Sequence, residues 1–250
     1  MENKEGWIPQ MGVGSFINKS LKYFSKPLQR TVKRKYLSYK YQVHAFDKSL
    51  DWKWQETNYN RIALVNFLVS KKQDPAYLEI GCQSNDLFDS VPCQQKTGVD
   101  PASGGTVRET SDAFFEKNAQ LFDVVFIDGL HTYEQVRRDV VNAIRFLKPG
   151  GFIALHDMLP GSWIEHHVPR ICEEWTGDTW KVAFDLTQSK GIDFIIAKID
   201  HGVGVLRLSE EKPALADLTG ELRDKEFEYF YNNFGKLPLV EWPEFVRWLG

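Results

Sequence analysis

Residues 122–157 read FDVVFIDGLHTYEQVRRDVVNAIRFLKPGGFIALHD. Asp123–Ile127 (DVVFI) has the length and the apolar, β-branched and aromatic content of a buried strand, and it ends at Asp128. From about Tyr133 to Leu147, Val136, Val140, Ile144 and Leu147 recur on one helical face, and the run Lys148-Pro149-Gly150-Gly151 closes that helix. Phe152–Leu155 then reads as a second buried strand, ending at His156-Asp157. Two apolar strands joined by a helical crossover imply a parallel pair covered on both faces.

The same alternation extends outward in both directions. A helix is expected over Glu56–Lys72, from Ile62, Leu64, Val65, Phe67, Leu68 and Val69, with the Asp74-Pro75 turn after it. Tyr77–Ile80, ending at Gly81, and Gly98–Val99, ending at Asp100, read as two further strands. Downstream come a helix around Thr179–Leu186 and strands Asp193–Ala197 and Val203–Leu208. The short Asp200-His201-Gly202 turn between those strands suits only an antiparallel hairpin, placed at the sheet edge. The pattern is that of an α/β, doubly wound, mostly parallel sheet. It divides the chain into an N-terminal extension (1–54), an α/β domain (55–210) and a C-terminal helical extension (211–250).

Composition narrows the class. With 42% hydrophobic and 26% charged residues the chain is neither disordered nor fibrous. It shows no apolar stretch of transmembrane length and no signal-peptide core, and Cys82, Cys93 and Cys172 are odd in number without C-x-x-C spacing. A cytoplasmic protein is the expectation. The net charge of −3 hides a division: residues 1–50 hold ten Lys/Arg against three acids, so the remaining 200 residues carry −10. The basic head is densest over Lys19–Lys40, where an amphipathic helix interrupted near Pro27 could lie on an anionic membrane surface; the alternatives are a solvated arm or a helix packed on the acidic body. Basic and aromatic residues without a nucleic-acid-binding fold argue against a nucleic-acid partner.

In a doubly wound sheet, ligands bind beyond the carboxyl ends of the strands. Those ends carry Glu79-Ile80-Gly81, Asp100, Asp128 and His156-Asp157, so polar groups gather at one edge. A carboxylate at Asp100 suits the two hydroxyls of a ribose, unless it only shapes a turn. Asp128 and Asp157, ending neighbouring strands, are placed to share a hard divalent cation, or else to orient loops and cap a turn. His166 and His167, in the long loop after Asp157, are more remote candidates as ligands.

The runs YLEIGCQSNDLF, GVDP, FDVVFIDGLHTYEQV and LKPGGFIALHD resemble the class I S-adenosylmethionine-dependent methyltransferases, and within them the metal-dependent sugar (macrocin-type) and catechol-type O-methyltransferases. The resemblance covers about residues 55 to 208 and implies a Rossmann-like, seven-stranded sheet with its antiparallel strand at the C-terminal end. It implies that Glu79, Gly81, Cys82, Gln83, Asn85 and Asp100 hold S-adenosylmethionine, with Asp128 beside it and Ser111-Asp112 as a loop on the adenine side. Asp128, His156 and Asp157 take the place of a metal site for Mg²⁺ or Mn²⁺. His131, three residues after Asp128, stands where the sugar O-methyltransferases carry their general base. The run Trp175-Thr176-Gly177-Asp178-Thr179-Trp180-Lys181 is similar to one in methyltransferase-like proteins encoded near polysaccharide genes, and its tryptophans suit either a sugar ring or the core, with Asp178 as an N-cap.

Two departures stand out. The family's E-x-G-x-G-x-G loop here has Gln83 and Asn85 in place of the second and third glycines, and His156 stands where the metal pair has an acid. Asn85 tolerates the left-handed backbone region, whereas the Gln83 side chain competes for cofactor space. An imidazole at position 156 suits Mn²⁺, Fe²⁺ or Zn²⁺ better than Mg²⁺. The leading expectation is an O-methyltransferase acting on a hydroxyl of a sugar, glycan or small molecule, and a homo-oligomer is compatible with it. The alternatives are a methyltransferase-like binding protein without turnover and a nucleotide-sugar binder.

Overall fold

The computed structural model describes residues 25–250. Contacts divide the chain after Val43. The first unit contains the helix Lys26–Lys40. Pro27 sits in the first turn, where its missing N–H costs nothing, so it starts the helix rather than interrupting it. The part of the basic segment before Ser25 lies outside the described residues.

In the second unit, seven strands form one sheet: β1 (Ala76–Ile80), β2 (Gln95–Val99), β3 (Phe122–Ile127), β4 (Leu147–Leu155), β5 (Ile192–Ala197), β6 (Val203–Leu208) and β7 (Leu239–Val240), in the order β2-β1-β3-β4-β6-β5-β7. β2, β1, β3 and β4 pair in parallel, β6 runs antiparallel to both β4 and β5, and β7 adds a short parallel pair outside β5. Period-two alternation sends successive side chains to opposite faces. Val125, Ile127, Ile153 and Leu155 enter one core with Val136, Val140 and Ala143 of helix Tyr133–Arg145, while Val124, Phe126, Phe152 and Ala154 enter the other with Leu64, Val65 and Leu68 of helix Arg61–Ser70.

Two boundaries differ from the sequence reading. The helix expected over Glu56–Lys72 begins only at Arg61, because the Asn60 side chain accepts from Ala63 N–H and so caps it there. The Lys148-Pro149-Gly150-Gly151 run does not end a helix; the helix stops at Arg145 and the run lies inside β4. An irregularity in register opposite Phe122 and Val124, with Gly150 at φ +71°, lets the proline and glycines pass through the strand.

Among the described residues, no helix is long and apolar enough to cross a membrane. The last helix, Trp242–Leu249, opens with a reciprocal capping box between Glu241 and Glu244 and buries Phe245 completely against the second core. If residues 211–250 are integral to this domain, Phe245→Ala should cost about 3–5 kcal/mol in chemical denaturation. A loss below about 1 kcal/mol would detach the helix from the core.

Candidate functional site

The carboxyl ends of β1 to β4 and the turn after β5 open into one cavity of about 660 Å³. Gly81, Gln83, Asp100, Ser111, Asp112, Asp128, His131, His156 and Asp157 line it; Glu79, Cys82 and Asn85 stand behind the wall. Tyr77 Oη donates to Glu79 Oε2 at 2.6 Å, and burial lifts the Glu79 carboxyl to about 7. Burial likewise pushes the Cys82 thiol up to about 12, which leaves it a packing group of the loop.

The loop after β1 keeps three positive φ angles, Gly81 at +88°, Gln83 at +46° and Asn85 at +69°. Only the first requires glycine on steric grounds, since a Cβ there would lie 2.1 Å from Asp128 O. Gln83 N–H donates to Asp100 Oδ2 at 3.0 Å, and Asn85 Oδ1 accepts from Gly105 N–H at 2.7 Å. Asp100 Oδ1 also accepts from Ala102 and Ser103 N–H. Burial alone would raise the Asp100 pKa, but these backbone donors hold it below the usual carboxylate range.

At the other end stand Asp128, His131, His156 and Asp157. The donor atoms of Asp128, His131 and Asp157 all lie within 4.8 Å of one another. His156 Nδ1 is 3.3 Å from Asp128 Oδ1 and 3.4 Å from Asp157 Oδ2, while its Nε2 faces Asp200 Oδ1 at 3.5 Å. His131 Nε2 is 3.2 Å from Asp128 Oδ1, and its Nδ1 is 2.8 Å from Trp175 O and 3.1 Å from Asp157 Oδ2. A carbonyl can only accept, so His131 Nδ1 carries a proton and Nε2 is the nitrogen turned toward Asp128. Burial works against charge on both rings, yet the surrounding carboxylates raise both pKa values, and the two imidazoles in turn hold Asp128 well below its ordinary range.

The Trp175–Lys181 run fastens this arrangement. The Trp175 ring stacks on His131 at 5.1 Å, and a Cβ on Gly177 would strike His131 O at 1.8 Å. Asp178 caps not its own helix but the neighbouring one, accepting from Tyr133 N–H at 2.7 Å. Trp180 is fully buried core. His166 and His167 do not enter the site: His166 bridges Trp180 Nε1 and Glu226, and His167 bonds Pro169 O.

Three cavity-lining groups, Arg61, His201 and Gln135, carry no local motif. Asp200 accepts from Arg61 N–H at 2.9 Å and from Arg61 Nη1, and Arg61 Nε lies 4.0 Å from Asp128 Oδ2. His201, beside Asp200, also lines the cavity. The tight 200–202 turn was the one available signal, since it joins β5 to β6, the strand paired with β4. Gln135, on the helix after His131, donates to Ser111 Oγ at 3.1 Å and to Asp139 Oδ1 at 3.0 Å.

A family model described as a methyltransferase domain matches residues 28–158, just over half of the chain. The chain belongs to this methyltransferase family. The family match runs from within the basic helix to the residue after Asp157. No curated protein matches the chain. Among solved structures it is similar to MycE from the mycinamycin biosynthetic pathway, in complex with Mg and SAH, at 19% identity over 58% of this chain and 48% of that one, with a TM-score of 0.39. It thus spans about half of MycE. It is also similar to SAH-bound PaMTH1 from Podospora anserina (16% identity, 75% of this chain, 97% of that one, TM-score 0.44) and to cofactor-bound Rv0187 from MTB (15%, 80%, 97%, 0.45).

Asp139 supports the cavity wall from behind, fully buried, with Oδ2 lacking any partner. Burial lifts its carboxyl to about 6, despite hydrogen bonds from Ser111 and Gln135. The folded protein therefore keeps a proton that the unfolded chain releases above its ordinary value of 3.8. The stability this contributes is complete below that value and is lost as pH rises through about 6. Relative to wild type, Asp139→Asn should gain up to roughly 3 kcal/mol of unfolding free energy between pH ~4 and ~7. A difference that stays flat with pH would show an ordinary carboxylate.

Proposed function

We propose that the protein is an O-methyltransferase that transfers the S-adenosylmethionine methyl group to a hydroxyl of a sugar, glycan or small-molecule acceptor, assisted by a divalent cation. One observation carries the reading: in the wall of the cavity the His131 ring lies between two carboxylates, with Nε2 3.2 Å from Asp128 and Nδ1 3.1 Å from Asp157. Gly81, the Gln83 backbone and Asp100 support the cofactor end, with Ser111 and Asp112 beyond them.

The donor set fits a cation. Asp128, Asp157 and Asp200 bring three negative charges against the one positive charge of Arg61, leaving two to be balanced by two imidazolium rings or one divalent ion. His156 Nδ1 faces Asp128 and Asp157, and its buried Nε2 lies 3.5 Å from Asp200 Oδ1 without a hydrogen bond. A mixed nitrogen and oxygen set favours Mn²⁺, Fe²⁺ or Zn²⁺ over Mg²⁺. Asp128, Asp157 and His156 would hold the ion, which supplies positive charge that acidifies an acceptor hydroxyl.

His131 then serves as base. Trp175 O holds its Nδ1 proton, which leaves Nε2 to take the hydroxyl proton while the acceptor oxygen attacks the methyl carbon in line, the C–S bond breaking to leave S-adenosylhomocysteine. The Trp175 ring, packed on His131 and lining the same cavity, offers a flat face to a sugar. Three free cysteines agree with a cytosolic location.

Calorimetric titration with S-adenosylhomocysteine, with and without Mn²⁺ or Mg²⁺, tests the cofactor site. Binding is expected, with Gln83→Gly equal or tighter. Absence of binding under every condition would leave a binding protein without turnover, and competition by a nucleotide sugar would expose a different ligand. His131→Ala should lower kcat for a hydroxyl acceptor by about 10²–10⁴-fold while S-adenosylhomocysteine affinity stays within about threefold. An unchanged kcat would remove His131 from the chemistry.

A further inference from the structure

The helix Lys26–Lys40 has no part in the chemistry above and no fully buried residue. At about 100° per residue, Leu28, Val32, Tyr36 and Tyr39 project into one arc of about 80°. Lys26, Arg30, Lys33, Arg34 and Lys40 occupy a separate arc of about 120° with Leu37 among them, and Lys35 stands at the other border of the apolar one. No acid interrupts the segment from Lys26 to Lys40. Of the seven large apolar side chains exposed among the described residues, Leu28 (44%) and Tyr39 (71%) lie in this arc and Val43 (83%) follows in the turn after the helix.

We infer that this helix docks the protein on a lipid bilayer containing anionic headgroups, lying in the plane of the surface. The apolar arc enters the boundary between headgroups and acyl chains, and the Lys and Arg heads reach the phosphates on its flanks. Both faces are needed for that partner. A polyphosphate chain would use the basic arc and leave the apolar stripe in water, and a second copy of the helix would set six positive charges against six. The inference does not depend on the acceptor or the metal.

The test is co-sedimentation of the full chain with vesicles of phosphatidylcholine alone and of phosphatidylcholine mixed with phosphatidylglycerol. Binding should be confined to the mixed vesicles and weaken as salt rises. Lys26→Gln, Lys33→Gln and Arg34→Gln together should lower the partition coefficient on the order of 100-fold, at about fivefold per side chain. Leu28→Ser, Tyr39→Ser and Val43→Ser together should also release the protein, with its circular dichroism and thermal midpoint unchanged. Four results would overturn the inference: no vesicle binding, equal binding to neutral vesicles, binding indifferent to the apolar variant, or equally tight binding to double-stranded DNA. Concentration-dependent dimerisation abolished by the apolar variant, without vesicle binding, would assign the face to a second copy.

Discussion

Three carboxylates, those of Asp128, Asp157 and Asp200, are crowded at the end of one sheet around the His156 ring, and charge of one sign cannot be held at that spacing without compensation. Much of the surrounding structure supplies it. Arg61 is anchored to Asp200 by its backbone and its guanidinium together, so the start of its helix is tied to the β5–β6 turn. His131 Nδ1 is held by Trp175 O, and His131 Nε2 and His156 Nδ1 are both aimed at Asp128 Oδ1. The site is thus assembled by electrostatics as much as by the sheet that carries it.

The alternation from Tyr77 to Leu155 was legible because each strand is short, apolar and followed by a polar residue, so the parallel sheet and the address of the cavity followed together. Asp100, Asp128, His131, His156 and Asp157 could be named for the same reason: they terminate strands or follow directly. Arg61, Asp200 and Gln135 could not, because each joins the site from another element through a side-chain contact that local spacing does not encode. The Lys148–Gly151 run misled for a related reason. Proline and two glycines ordinarily stop regular structure, but here the pairing with β3 absorbs them in an irregularity.

The loop after β1 illustrates how a pattern can lapse while its geometry persists. Gln83 and Asn85 adopt the left-handed conformations that glycine would have provided at less cost, and their polar atoms join β1 to the segment after β2. Asp100 is held by amides from both sides, which keeps its carboxylate ionised and fixed. What glycine would have contributed in freedom, this chain replaces with hydrogen bonds.

The loop between Ser162 and Gly177 is closed upon itself at its base, where the Glu165 carbonyl accepts from both Thr176 and Gly177 N–H. Arg170, Glu173 and Glu174, which border the cavity, all lie between those fastenings. The clasp therefore sets both ends of the segment at once: it leaves Arg170, Glu173 and Glu174 on a closed loop at the cavity rim and seats the adjoining Trp175 ring on His131.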